Sequence, residues 1–408
     1  MTNILVISPS GEIYDHDCVR WYPELGFARA PDHYHNIGDA FVFDSSLKLL
    51  DFDRIETLDI RAPSAREIDR YNAEFDFAFL RGSNYLHPLM DWENAPEVLA
   101  RLRIPVLAFG IGAQAPAHGR LELPEAAKSV MRLIAERSVS MGVRGAYTAD
   151  VLWSLGIRDA RIVGCPTAFR ARDPDLRIDL PPLETVRRVA YTLRREVGHD
   201  YAKDVAQYLS LQRETIIGLA RRFDLLVCAQ GEIEEKAVLW GDPAQKSAAL
   251  ATLRARNWLR GPDDPLESLY ARALFYADDV SGFESRLRGM DLAIGYRLHG
   301  NLLALANRIP SIYFTYDSRT TEFADTFRIP SFDVFGGQSF RLEDFWEQAR
   351  FEPFNRAFRE RYRDMRLFLD ENRIPHRMAA HFAAAAPAPA PAAAAPAAAA
   401  PAAARHAA

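Results

Sequence analysis

The sequence predicts an α/β protein in two halves, each a parallel sheet covered by helices. Three observations carry that expectation. Apolar runs of strand length recur along the chain, separated by segments with helical spacing, and several runs end in a glycine-bearing turn. A proline-rich, charged stretch at 172–188, "RDPDLRIDLPPLETVRR", then divides the series in two. Strands alternating with helices imply βαβ units, and a parallel sheet needs cover on both faces.

The elements follow in order. "NILVIS" opens the chain as a strand and leads into a polar, His-rich loop. "NIGDAFVFDSSLKLL" reads as a glycine turn opening a helix. "FDFAFLRGSNYL" and "IPVLAFGIGAQ" repeat the strand-then-glycine pattern. "EAAKSVMRLIAERS" carries apolar residues at 130, 131, 133 and 134, one helical face. "SMGVRGAYTADVLWSLGI" and "ARIVGCPTAF" continue the alternation. Beyond the linker come the strand "RVAYTL", the helix "YLSLQRETIIGLARR", the strands "FDLLVCA" and "MDLAIGY", the helix "GNLLALANR" and the strand "IPSIYFTY". Residues 1–175 and 186–345 are therefore expected to be two Rossmann-like domains facing a cleft, with C-terminal helices over 346–382. Residues 383–408 are alanine and proline almost throughout. Recurring prolines prevent one long helix there, and nothing larger than alanine is available for a core, so a disordered or semi-extended tail is expected.

Composition narrows the class. A chain of 408 residues exceeds the ~250–300 at which one core stops growing. The net charge of -5 is mild and no basic stripe stands out, which argues against a nucleic-acid binder. Three widely spaced cysteines, Cys18, Cys165 and Cys228, suit a reducing compartment. No basic n-region or small-residue cleavage site marks a secretory signal, and no run approaches the ~18 apolar residues of a membrane span. A cytoplasmic location, or a peripheral one at the inner face of the membrane, is expected.

The chemistry concentrates in "GYRLHG", residues 295–300. If "MDLAIGY" is a buried strand, Arg297 and His299 stand at its carboxyl end, where open α/β sheets bind ligands. A helix N-terminus there offers free N–H groups to an anion, Arg297 a planar fork, and His299 a proton donor near neutral pH. The alternative is a structural ion pair for Arg297 and a helix cap for His299. The turns at Asn36–Ala40, Arg81–Asn84 and Gly110–Gly112 form a second polar edge, and Arg144 and Arg194 end further strands. "YDHD", Tyr14 to Asp17, has no second ligand cluster, so no metal is expected. The commonest ATPase, α/β-hydrolase and metalloprotease signatures are missing.

The chain resembles the polysaccharide pyruvyltransferase family in "NIGDA", "FGIGAQ", "SVSMGVRGAYTADVLWSLGI", "VGCPTAF", "YTLRRE" and "GYRLHGNLLALANRIPSIYFTYDSRTTEFA", in the family's order. The resemblance implies a GT-B-like fold and transfer of a pyruvyl group from phosphoenolpyruvate to sugar hydroxyls, forming a pyruvate ketal. It implies His299 as general acid, with Arg297, the Leu298 backbone and Arg194 as phosphoenolpyruvate ligands and Arg195 a rival for the Arg194 role. The donor falls on the second domain. Asn36, Asp39, Arg81, Asn84, Gly112 and Arg144 fall to the acceptor, a sugar or polysaccharide precursor, lipid-linked or free. Phosphoenolpyruvate is then a co-substrate, with no further cofactor. "RGSNYLH" departs from the family's glycine-rich turn, and Arg319 stands where lysine is frequent. A helix N-terminus alone lowers the pKa of His299, and a bound polyanion opposes that shift. Two other classes fit the pattern: a nucleotide-sugar-dependent glycosyltransferase, and a non-catalytic glycan-binding protein of the same fold.

Overall fold

The computed structural model describes residues 1–7, 13–15, 18–20 and 36–380, apart from 59, 61–63, 91, 93 and 200, with 13–15 and 18–20 as backbone alone. The Ala/Pro tail and the side chains of Tyr14 to Asp17 lie outside the described residues.

In the first half, β1 (Asn3–Ile7) precedes a short antiparallel pair, β2 (Ile13–Asp15) and β3 (Cys18–Arg20). β4 (Arg54–Leu58), β5 (Phe77–Leu80) and β6 (Val106–Ala108) join β1 in a parallel sheet ordered β4-β1-β5-β6 among the described residues. β7 (Met141–Val143) and β8 (Ala160–Ile162) extend it through a parallel bridge between Ile111 and Val143. The second half holds β9 (Arg188–Thr192), β10 (Asp224–Cys228), β11 (Leu274–Phe275), β12 (Leu292–Gly295), β13 (Ser311–Thr315) and β14 (Ser331–Asp333). They form a parallel sheet ordered β11-β10-β9-β12-β13-β14. β5, β6, β12 and β13 are buried at every residue, as continuous apolar runs must be when helices cover both faces. The α/β architecture expected from the alternation is the one observed.

Each sheet has one place where strand order reverses, and such switch points are where open α/β sheets bind ligands. In the first sheet it lies between β1 and β5, in the second between β9 and β12. Arg81 directly follows β5. Arg194 and Arg195 follow β9, and Arg297 follows β12. The sequence thus puts arginines at both crevices.

The helix Ile37–Leu49, "IGDAFVFDSSLKL", is apolar on all sides and buried except at Asp39 and Lys48. A helix without a polar face belongs inside. It packs on the helices Pro166–Phe169 and Leu298–Ala306, so its N-terminus meets the second half. Its buried Asp44 is matched by Arg170, which also bonds Glu284 across the halves. The helix Gln348–Glu371 starts beside the linker, where Asn355 accepts from Ile178 N and Gln348 from Leu180 N. It ends on the first half: Phe368 packs on Phe109, Asn372 accepts from Val139 N, and Leu50 pairs with His376. No helix among the described residues is long and apolar enough to cross a membrane.

Candidate active site

The second switch point is built by close backbone approach. Gly295 has φ 141°. A Cβ there would meet Thr192 O at 2.6 Å, so only glycine lets β12 end this close to β9. Thr192 Oγ1 accepts from Arg297 N at 3.2 Å, Asn301 Nδ2 donates to Gly295 O at 2.9 Å, and Tyr313 Oη donates to Leu298 O at 2.8 Å. These bonds fix the strand-to-helix junction. The helix runs Leu298–Ala306, two residues earlier than its apolar text suggests, because Arg297 O already accepts from Asn301 N. Arg297 is therefore the N-cap and His299 lies in the first turn. Among the described residues no side chain caps this helix, so its first N–H groups, Leu298 included, can serve an anion.

Arg297 takes the ion-pair role that the residues alone left open. Its Nη2 pairs with the fully buried Glu232 and its Nε donates to Leu193 O at 3.0 Å. Burial works against the Glu232 charge, but Arg297 and the amides of Gln230 and Gly231 hold its pKa below the usual carboxylate range. The guanidinium is thus committed to protein, although its charge stays beside the site. Arg195 is committed too: its Nε and Nη2 bond Glu235 at 2.8 and 3.0 Å, and Nη2 also meets Glu234. Arg194 turns the other way. Its guanidinium lies 5.6 Å from the Tyr201 ring and 5.9 Å from that of Tyr316. Of the two rivals, Arg194 is the one on the Tyr316 side, and Tyr316 Oη accepts from Arg319 Nη2 at 2.8 Å.

His299 is 9% exposed and lies within the fields of four guanidiniums. Burial, then Arg144, Arg319, Arg81 and Arg297, push its pKa well below 6.5, so the ring is neutral. Arg144 and Arg81 are fully buried. Arg144 Nε and Nη2 and Arg319 Nε have no hydrogen-bond partner among the described residues. A buried cation with open donors is costly unless something binds it. Phe323 supports the group, with Arg144 5.4 Å from its ring and His299 edge-on at 6.1 Å.

The residues expected on the first-half edge gather here, but several act on Arg144. Arg144 Nη1 donates to Asn84 Oδ1, Asn84 Nδ2 to Gln114 Oε1 at 3.0 Å, and Gln114 Nε2 to Asp317 Oδ2 at 3.0 Å. Asp317 Oδ2 stands 3.5 Å from Arg319 Nη2, closing a polar chain between two arginines of opposite halves. A Cβ on Gly112 would meet Arg144 Cδ at 2.8 Å. We expect Gly112→Ala to displace Arg144 and weaken anion binding while costing about 1–3 kcal/mol of stability through overpacking. Calorimetry and thermal melting check this, and unaltered anion affinity would count against it. Asn36 caps the helix Ile37–Leu49 by accepting from Gly38 N at 3.1 Å, and donates to Asp39 Oδ2 at 3.1 Å. Asp39 in turn lies 3.9 Å from Arg81 Nη1.

The family model for polysaccharide pyruvyl transferase matches residues 36–318, a span that contains Arg81, Arg144, Arg194, Arg297 and His299 and stops just before Arg319. The chain belongs to that family. No curated protein matches it. Solved structures that it resembles include the UDP-GlcNAc 2-epimerase of Neisseria meningitidis bound to UDP-GlcNAc, at 8% identity, over 91% of this chain and 99% of that one, with TM-score 0.44. Others are the MnaA protein of S. aureus with UDP, at 9% identity, 88% and 91% coverage and TM-score 0.42, and an α,α-trehalose-phosphate synthase (UDP-forming) of Burkholderia vietnamiensis, at 10%, 91% and 91%, and 0.40.

In this family member, sequence reading missed the side chains that work through a partner. Glu232 lies in no motif, and Gln114 and Asp317, although inside quoted motifs, become legible only as neighbours of arginines. Gln230 is 1% exposed, its Nε2 has no partner among the described residues, and the amide lies against Gly300 in the first turn of the helix that carries His299. Arg319 stood out only as a departure from lysine. A separate groove of about 690 Å³ also carries cations; there Lys48 and Arg170 pair with Asp44, Arg288 with Glu284 and Arg377 with Asp51, while Arg172 lines it as well.

Proposed function

We propose that this pyruvyl transferase takes its pyruvyl group from phosphoenolpyruvate and passes it to two hydroxyls of a sugar in a polysaccharide or its precursor. The observation that carries the reading is the cluster of Arg81, Arg144, Arg297 and Arg319 around one buried neutral imidazole. Phosphoenolpyruvate brings a carboxylate and a phosphate to such a site. The open nitrogens of Arg144 and Arg319 and the uncapped first turn at Leu298 receive them, with Arg194 beside Tyr316 as a further cation. The bound anions offset the arginine field and favour the protonated ring.

His299 then gives a proton to the methylene carbon, which becomes a methyl group. Positive charge develops on the adjacent carbon, one sugar hydroxyl adds there, and its proton returns to the ring. The second hydroxyl displaces phosphate, which carries the last proton away. Each step needs only acid–base work and charge stabilisation.

Incubating candidate glycans with phosphoenolpyruvate and reading their masses tests this, the expected change being one pyruvate less one water. Arg144→Met and Arg319→Met should each weaken phosphoenolpyruvate binding by about 1.5–3 kcal/mol, the worth of a charge-assisted hydrogen bond. Tight binding of a nucleotide sugar that excludes phosphoenolpyruvate would instead favour a glycosyltransferase. Binding of glycan without any mass change would favour a non-catalytic protein.

A further inference from the structure

One ring nitrogen of His299 has a protein partner. Cys165 Sγ lies 3.9 Å from His299 Nδ1. The two residues come from opposite halves, Cys165 from the turn after β8 and His299 from the helix after β12. Cys165 is fully buried and is the N-cap of the helix Pro166–Phe169, with its own carbonyl accepting from Ala168 N at 3.1 Å. Before it, Gly164 N donates to Val143 O at 3.2 Å, which ties the turn to the strand that presents Arg144. Thr167 Oγ1, 3.5 Å from Sγ, is a second acceptor within reach of the same S–H. The sulfur is thus held in place by backbone that cannot easily shift.

We propose that Cys165 is a positioning residue for His299: its thiol occupies Nδ1, so that Nε2 is the nitrogen that carries the proton to be transferred. The proposal rests on the reading of His299 as the acid. A thiol is a weak donor and a weak acceptor, and it serves both states of the ring. Toward the neutral ring the S–H points at Nδ1, which selects the tautomer protonated on Nε2. Toward the imidazolium the sulfur accepts from Nδ1–H while Nε2–H faces the donor.

The choice of sulfur has a chemical meaning. A carboxylate at Nδ1 would stabilise the imidazolium and make a weaker acid. Protonating the carbon of an enol phosphate asks for a stronger one. Burial raises the Cys165 pKa, so the group stays a neutral thiol and adds no negative charge at Nδ1. Among the described residues the charged groups around the ring are Arg81 after β5, with Asp39 opposite it, Arg144 after β7, with Glu322 near it, Arg297 with its Glu232, and Arg319 with Asp317 at the start of the helix Ser318–Phe327. The carboxylates of this set lie against the arginines, and Nδ1 meets only sulfur among the described residues.

Two measurements on the full chain test the assignment. Nitrogen-15 spectroscopy of the substrate-free protein, with His299→Gln to identify its signals, reads the tautomer directly. Wild type and Cys165→Ser should show the Nε2–H form, whereas Cys165→Ala should show a mixture. Kinetics with phosphoenolpyruvate provide the second readout. Cys165→Ala should lower kcat on the order of tenfold to a hundredfold, as losing the outer partner of an essential histidine does. Its KM for the donor should stay within about twofold, since the arginines are untouched. The alkaline limb of kcat should move down in Cys165→Ala and up in Cys165→Ser, because a hydroxyl accepts from the imidazolium better than a thiol does. A ring still held as Nε2–H in Cys165→Ala would overturn the proposal. So would alkaline limbs that coincide in all three proteins, which is what a purely packing role predicts. Absence of wild-type turnover with phosphoenolpyruvate would count against the donor reading, and the tautomer measurement would then decide the role of Cys165 alone.

Discussion

Replacing His299 with glutamine is expected to cut turnover by about 10²–10⁴, the range for losing a general acid, while leaving donor binding nearly intact. Burial and the surrounding arginines hold the pKa of His299 well below 6.5, so on the proposed reading donor binding is expected to bring a proton with it. Calorimetry in buffers of different ionisation enthalpy should therefore detect proton uptake by the wild type and none by His299→Gln. For the same reason, the alkaline limb should lie at higher pH in kcat, which reports the complex, than in kcat/KM, which reports the free protein. A stability readout runs in parallel. The folded pKa lies below the unfolded value of 6.5. The wild type should hold its full stability above that pH and lose part of it as pH falls toward the folded pKa. His299→Gln should flatten that loss. Normal kcat in this variant would remove His299 from the chemistry.

Replacing Arg297 with methionine is expected to act first on the fold. Glu232 would be left fully buried without its cation, a change worth about 3–5 kcal/mol for a broken buried pair. Adding Glu232→Gln should restore most of that stability, because the uncompensated charge is then gone. Urea unfolding of the single and double variants measures both. Donor affinity in the double variant then isolates what the Arg297 charge contributes to the anion. A single variant as stable as wild type would return Arg297 to the role of a direct donor ligand.

Much of this was legible in the residues. Apolar runs such as "MDLAIGY" and "IPSIYFTY" are buried strands because parallel sheets leave no solvated face. "GYRLHG" pointed to the crevice because a glycine, an arginine and a histidine have no packing reason to end such a strand. Less legible was which arginine does what. Arg194 and Arg195 are neighbours with the same chemistry, and only the acidic cluster of Glu234 and Glu235 separates them in space. Likewise, Asn84 and Gly112 read as ligand-facing residues, yet both of them position Arg144. Partnerships between residues sixty or more positions apart leave no local pattern to read. Arg144 with Asn84, and Gln114 with Asp317, are of that kind.

The helix Gln348–Glu371 returns from the second half to lean on Phe109 and hand Asn372 to Val139 and Ser140. This links an early part of synthesis to a late one. The first half leaves the ribosome before this helix does, so the surface around Phe109 stays uncovered until residues 348–371 have been made. Leu50 and Asp51 likewise wait for His376 and Arg377. Neither half is a module that can be cut out, grafted or expressed alone without baring apolar surface. The clasp also ties the first half's arginines to the second half's histidine, so the finished site depends on residues 348–377 having been made and docked.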